Sequence, residues 1–537
     1  MGKNKGYYPN CDATIWLRSC KKEIIKPIKG KASGTIPFWI NGSLYRNGPG
    51  LLEIGDCRVG HLFDGLGLLH KFSIKNGTVT YQCRFLRSNT YKRNIKANRI
   101  VVTDFGTKSV PDPCQTIFHR IASTFKWGGE TSDNAMVSIY PFGDELYALS
   151  EMPYIHKINK NNLQTEGRID LKEKMGVVCH SSHPHVMSNG TVYSLAVTAS
   201  VLGPQHNIVC FPNKPKNHVN DYSMFDKAHV VAGISARWPL HPSYMHTFGV
   251  TKNYFIIVEQ PLSVAIPQMC IKSLMNMPLW GAMKWYENEQ TQINVVSRKS
   301  GKIAYTFFAK PFFYLHLINQ YECSNHIVVD ICSYKDPSMI DCMYIEALKD
   351  VQSNPDYASM FRSKPIRFVL PLIDSYGGIE VGKNLVKLPK TKAKAFLQKN
   401  RRIYVKPEKL CNLGCETPTI NYKKYLGTKY RYFYAISADV DAENPGTIIK
   451  VDTLRKTTKT WCEDSCYPSE PIFIPSPNSQ SEDDGVILSA LVWGGADTHH
   501  VGLIVLNAKT MQEMGRTEFR TSSPVPKCLH GWFLPNK

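Results

Sequence analysis

Short runs in which apolar or β-branched residues alternate with polar ones recur along the chain, at residues 78–83, 100–103, 145–150, 191–197, 254–258, 326–331, 485–491 and 502–506. Gly, Asn, Asp or Pro interrupts most of these runs, the mark of strands joined by turns. Helical periodicity is rare. Its clearest instance is 114–127, where Cys114, Ile117, Phe118, Ile121 and Phe125 fall on one stripe with Arg120 and Lys126 near the polar side. At 537 residues the chain exceeds the usual size of a single core, yet no stretch reads as a linker. The pattern predicts an all-β protein, a propeller with a cap of helix and loop over its top face, because radial repetition keeps the sheet edges of a large β protein short. Residues 1–537 are read as one domain.

Composition removes other classes. Hydrophobic residues make up 43% and charged residues 20%, so the chain can bury a core and is not disordered. The formal charge is +21, but Lys and Arg are interleaved with apolar segments and no nucleic-acid-binding motif accompanies them. Such a surface suits an anionic lipid face. No run reaches the ~18–20 apolar residues of a spanning helix, so the expected association is peripheral. Two segments are read as membrane-facing, about 112–128 and 261–286, through Ile117, Phe118, Ile121, Phe125, Met269, Leu274 and Trp280. The N-terminus lacks the apolar core of a secretory signal and the sixteen cysteines are scattered, which points to free thiols in the cytoplasm at the surface of an internal membrane. Cys114 is read as a buried thiol.

Four of the seventeen histidines stand out by their apolar or aromatic settings: His183, His246, His316 and His530. Burying four imidazoles without partners is costly, and a metal ion supplies the partner. Their nitrogens suit iron, copper, nickel or zinc. The intervals between them are 63, 70 and 214 residues, the last close to three times 71. One ligand per blade of about 70 residues gives seven blades, with the ligands meeting on the axis. Glu151, Glu416 and Glu470 lie in similar apolar or turn-rich settings. Each could orient an imidazole and balance the ion's charge, although composition alone reads each as a surface carboxylate at a strand end.

Several motifs in fixed order, Leu44-Tyr-Arg-Asn-Gly-Pro-Gly, His61-Leu-Phe-Asp-Gly, Pro111-Asp-Pro-Cys, Glu482-Asp-Asp-Gly and His530-Gly-Trp-Phe, make nearly the whole chain resemble the carotenoid cleavage oxygenases. The resemblance implies a seven-bladed propeller holding Fe(II) on His183, His246, His316 and His530. Glu151, Glu416 and Glu470 would support His246, His316 and His530 respectively, His183 would have no carboxylate, and His185 would be structural. It also implies cleavage of a carotenoid by dioxygen at the central 15,15' double bond to give retinal. Tyr91-Lys-Arg-Asn-Ile and the run from Arg99 to Thr107 resemble the insect branch, which also isomerises one half towards 11-cis in the service of vision. By motif position, Phe63, Phe105, Ser150, Leu315, Tyr334 and Thr417 would line the substrate tunnel. The same iron and residues would equally serve a retinoid isomerohydrolase acting on a retinyl ester, and a non-catalytic lipid-binding propeller would need no iron.

Overall fold

Seven sheets, antiparallel except where Ile303–Ala309 pairs in parallel with Ile403–Lys406, succeed one another in the computed structural model, which describes residues 6–111, 114, 131–200, 203–213, 223–375 and 377–536. The sheets are the blades of a propeller. Each presents an inner strand: Gly531–Pro535 in blade 1, Ser138–Phe142 in blade 2, His185–Val186 in blade 3, Gly249–Val250 in blade 4, Phe313–Cys323 in blade 5, Cys415–Thr419 in blade 6 and Ile472–Pro475 in blade 7.

The hydrophobic core is divided to match. One apolar cluster joins each neighbouring pair of blades. Ile256 and Ile293 of blade 4, for example, pack against Ile327 and Phe368 of blade 5. Clusters of the same kind join blades 5 and 6, 6 and 7, 1 and 2, 2 and 3, and 3 and 4. The seventh, with Leu44, Leu68 and Phe72 against Leu488, Leu503 and Val505, joins blade 7 to blade 1 and closes the circle. Middle strands such as Gly485–Trp493 are therefore buried on both faces and need continuous Val, Ile and Leu. Outer strands such as Glu513–Arg520 keep the period-two alternation of a surface strand.

Both chain ends lock the ring. The strand Gly531–Pro535 pairs with Gly42–Leu51 inside blade 1, while Lys31–Gly34 pairs with Glu513–Arg520 of blade 7. Opening the ring would thus break two ladders between residues far apart in sequence.

Seven of the eight runs expected as strands match strands to within one residue at a boundary or lie inside them, but residues 100–103 do not. Val101 and Val102 are buried in irregular backbone where they help to roof a cavity, so their hydrophobicity reflects burial and not sheet pairing. In the second apolar segment, the strands Leu262–Val264 and Met283–Trp285 pair with each other around the helix Ile266–Leu274. No helix among the described residues is long and apolar enough to cross a membrane. Ile117, Phe118, Ile121 and Phe125 lie outside the described residues. All sixteen cysteines are free, and Cys114 is exposed where a buried thiol was expected.

Candidate metal centre

The four selected histidines meet at the hub because each sits at the inner edge of a different blade. His183 lies two residues before the start of His185–Val186, His246 lies just before Gly249–Val250, and His530 directly precedes Gly531–Pro535. His316 lies within Phe313–Cys323, at a break in pairing register between Tyr314 and Leu317. All four are buried. His183 lies 4.7, 5.0 and 4.4 Å, ring centre to ring centre, from His246, His316 and His530. His316 is 5.0 Å from both His246 and His530, so His183 and His316 each neighbour the other three rings. The ligand nitrogens of His183, His316 and His530 lie within 4.8 Å of one another.

A glutamate stands beside three of these rings; the Glu416 and Glu470 side chains are largely enclosed, whereas that of Glu151 is partly exposed. Nδ1 of His246 is 2.5 Å from Oε1 of Glu151, which also accepts a hydrogen bond of 2.7 Å from the Tyr244 hydroxyl. Nδ1 of His316 is 2.7 Å from Oε2 of Glu416, whose other oxygen accepts from the Tyr334 hydroxyl at 2.8 Å. Nδ1 of His530 is 3.0 Å from Oε1 of Glu470. Burial pushes the Glu416 carboxyl up, but His316, the Thr417 N–H and the Tyr334 hydroxyl together bring it below its ordinary range. For Glu470 the upward push of burial is likewise outweighed by His530, Arg46 and the Gly531 N–H. Burial, together with the three neighbouring imidazoles, holds His183 well below its usual value and therefore neutral, as a ligand must be.

Orientation by Nδ1 leaves Nε2 as the free donor on each ring. Nε2 of His183 and of His316 are buried with no hydrogen-bond partner, an arrangement that costs stability unless a cation accepts the lone pairs. The charges agree. Three carboxylates less the guanidinium of Arg46, which contacts Glu470 at 3.2 Å, leave two negative charges around the four rings. That matches a divalent ion. The residues present therefore fit a metal bound by four imidazoles.

Beside the centre runs a cavity of about 2080 Å³. Phe63, Phe105, Ser150, Leu315, Tyr334 and Thr417 all line it, together with His246, His316 and His530. His185 is structural, since Phe248 O and the Tyr422 hydroxyl engage its two nitrogens at 2.8 and 3.0 Å. Met269 lines the cavity from the helix Ile266–Leu274. Trp280 turns towards the protein, with its ring 5.5 Å from Phe105 and its Nε1 donating to Asp341 at 3.1 Å.

Four residues of the site were not singled out from the sequence. Arg46 lay in a quoted motif, and its complete burial is the missing half of that signal. Tyr140 contacts His183 from the remaining blade, and Tyr244 shares Glu151 with His246. A lone tyrosine in a strand carries no sequence mark of either role. His180, buried at the cavity wall with Nε2 unpartnered, was signalled only by three histidines within six residues.

A family model described as retinal pigment epithelial membrane protein matches residues 17–535. The chain is 53% identical to the carotenoid isomerooxygenase of Galleria mellonella, over 99% of this chain and 98% of that one. It is 48% identical to the carotenoid isomerooxygenase of Drosophila melanogaster (99% and 94% covered) and 38% identical to the beta,beta-carotene 15,15'-dioxygenase of Gallus gallus (97% and 98% covered). Among solved structures, a cobalt-substituted Synechocystis ACO superposes with a TM-score of 0.75 at 22% identity, covering 98% of this chain and 100% of the other. That likeness speaks for the fold.

Proposed function

The chain belongs to the retinal pigment epithelial membrane protein family of carotenoid oxygenases, and on that premise we propose that it is an iron(II) enzyme that cleaves a carotenoid at its central double bond with dioxygen and isomerises one half of the product. The observation that carries the reading is the pair of orphaned Nε2 atoms, on His183 and His316, at a centre whose other rings, with His316, line a largely apolar cavity. Relatives that share about half of the sequence along its full length are named for the same chemistry.

Ferrous iron, when bound, supplies the electrons that activate dioxygen, which redox-inert zinc does not. The chain's own residues do the rest. Glu151, Glu416 and Glu470 fix the imidazoles and place negative charge behind them. That field favours positive character on a polyene lying against the centre, and transient loss of double-bond order there is what isomerisation requires. Phe63, Phe105 and Leu315 keep the polyene straight and exclude water. The exposed side chains of Leu240, Ile271 and Met275 stand close to the cavity-lining residues Ile266 and Met269, which supports delivery of the substrate from a lipid surface.

The test is to incubate iron-loaded protein with a carotenoid under labelled dioxygen in the dark, then resolve the aldehydes by isomer and mass. Label in the aldehydes with a cis isomer among them is expected. An intact carotenoid, with a cis retinol released from a retinyl ester in a parallel incubation, would point to hydrolytic chemistry instead, and all-trans retinal alone would remove the isomerase half.

A further inference from the structure

Beside the metal centre stand two thiols that the chemistry at the histidines does not use. Cys415 opens the inner strand of blade 6 and Cys411 lies four residues ahead of it, with their sulfurs 3.8 Å apart and both free. Cys411 keeps 7% exposure, whereas Cys415 has none, so a small oxidant reaches Cys411 first. The Lys364 Nζ donates to Asn412 O at 2.5 Å, within the loop that joins the two cysteines. The hydrogen bond with Cys415 brings the Cys411 thiol below its ordinary range against the upward push of burial, and the charge of Lys364 adds to the lowering. That same hydrogen bond, together with burial, pushes Cys415 well above its ordinary range. The pair is thus divided into a nucleophile on the outer side and a protonated thiol behind it, the arrangement in which a sulfur oxidises and a second one resolves it. Cys415 is joined by one peptide bond to Glu416, whose Oε2 stands 2.7 Å from Nδ1 of His316. On the far side of Glu416 the backbone of Thr417 is already left-handed, at φ of +45°, and has little slack to absorb a shift.

We propose that Cys411 and Cys415 are a dithiol that reacts with hydrogen peroxide, and that its closure to a disulfide displaces Glu416 and loosens the hold of the hub on its metal. The proposal goes beyond the carotenoid reading and rests only on the metal centre within it. Two steps balance the chemistry. The Cys411 thiolate attacks one oxygen of hydrogen peroxide, the O–O bond breaks, and the departing hydroxide takes up a proton to become water, leaving a sulfenic acid. The Cys415 thiol then attacks that sulfur, the S–O bond breaks and a second water leaves, so that two thiols are oxidised and the peroxide is reduced to water. The sulfurs draw together from 3.8 Å to about 2 Å in the disulfide. That contraction acts one residue away from the Glu416 carboxylate, which keeps its hydrogen bond to His316 only within a few tenths of an ångström.

The test treats the metal-free full chain with equimolar hydrogen peroxide, removes the oxidant, and measures ferrous iron binding without oxygen by competition with a chelator. The tryptic peptide of residues 410–423, which carries both cysteines, is weighed in parallel. Oxidised wild type is expected to show that peptide short of two hydrogens and to bind iron about tenfold more weakly, the lower end of the cost of losing a carboxylate behind a ligating imidazole. A dithiol reductant should restore both. Cys411→Ser should bind iron as reduced wild type does and should not respond to peroxide, and Cys411→Ala repeats the comparison should serine unsettle the loop. Glu416→Gln, already weakened, should lose less than about a further threefold on oxidation, because the effect passes through the residue it has altered. No disulfide in wild type, unchanged affinity once the disulfide has formed, an equal loss in both Cys411 variants, or a full tenfold loss in Glu416→Gln overturns the proposal. Reduced wild type that binds no iron would remove the metal reading and the switch with it, whereas equal binding before and after oxidation removes the switch alone.

Discussion

The Tyr140 hydroxyl stands 3.4 Å from Nδ1 of His183, in the position that a glutamate occupies beside each of the other three imidazoles. The hub is therefore asymmetric: three rings are backed by negative charge and one by a neutral dipole. A fourth carboxylate would leave the centre over-charged for a divalent ion once Arg46 is counted. The asymmetry gives the supporting residues an order of importance.

All four imidazoles should be needed for metal. Replacing His183, His246, His316 or His530 singly with Ala is expected to lower bound iron below about a tenth of wild type and to abolish cleavage, with far-ultraviolet circular dichroism unchanged. Elemental analysis of the purified variants reads this directly, and a variant that retains stoichiometric iron would remove that ring from the ligand set.

The supporting groups should rank by charge and distance. Glu416→Gln and Glu470→Gln are expected to weaken metal affinity by about 10- to 100-fold, the usual cost of losing a carboxylate behind a ligating imidazole. Tyr140→Phe, which loses only a long neutral contact, should cost less than about threefold. Competition with a chelator measures all three on one scale.

The loop at residues 103–109 should loosen as pH rises. Oδ2 of Asp64 accepts from the Gly106 N–H at 3.0 Å and from the Thr107 hydroxyl, while burial, and then the charge of Asp104, push the Asp64 carboxyl well above its ordinary range. Burial likewise pushes Asp104 up to about 6. Carboxyls raised on folding stabilise the folded state below their ordinary range, and that contribution is lost as pH climbs through the raised values. Between pH 5 and 7.5 wild type should lose on the order of 2 kcal/mol more stability than Asp64→Asn, as read by thermal or denaturant unfolding. Equal pH dependence in both proteins would show that the pair does not titrate in this window.

Backbone strain is stored next to Glu416. Thr417 has φ of +45°, a left-handed conformation that a β-branched residue adopts only under constraint, and it sits in a register break between Glu416 and Thr419. Its N–H donates to Glu416 Oε2 at 2.7 Å, and its Oγ1 has no partner. Thr417→Gly should raise stability by about 1 kcal/mol, because glycine adopts this backbone without strain. The same change should lower turnover by freeing Glu416. A melting curve and a steady-state assay on one preparation separate the two effects.

Much of this was written in one dimension. A strand that is buried on both faces must be rich in Val, Ile and Leu, and a turn needs Gly, Asn or Pro, so the strands around residues 254–258 and 485–491 were legible from local chemistry alone. The four histidines were legible because imidazoles in apolar surroundings at nearly regular intervals imply a common centre. The longest interval, from His316 to His530, spans two blades whose inner edges supply Glu416 and Glu470 instead of histidine. Residues 100–103 misled because a β-branched run looks the same whether it pairs in a sheet or roofs a cavity.

What the chain determined by itself was the strand-and-turn rhythm and the identity of the residues able to hold a metal, since both depend on local side-chain chemistry. Tertiary structure alone decided that Arg46 balances the surplus carboxylate and that Tyr140 takes the fourth place. Those relationships join residues tens to hundreds of positions apart. Only closure of the ring brings them within a few ångströms in a medium of low polarity, where a single charge or an unmade hydrogen bond has a large effect.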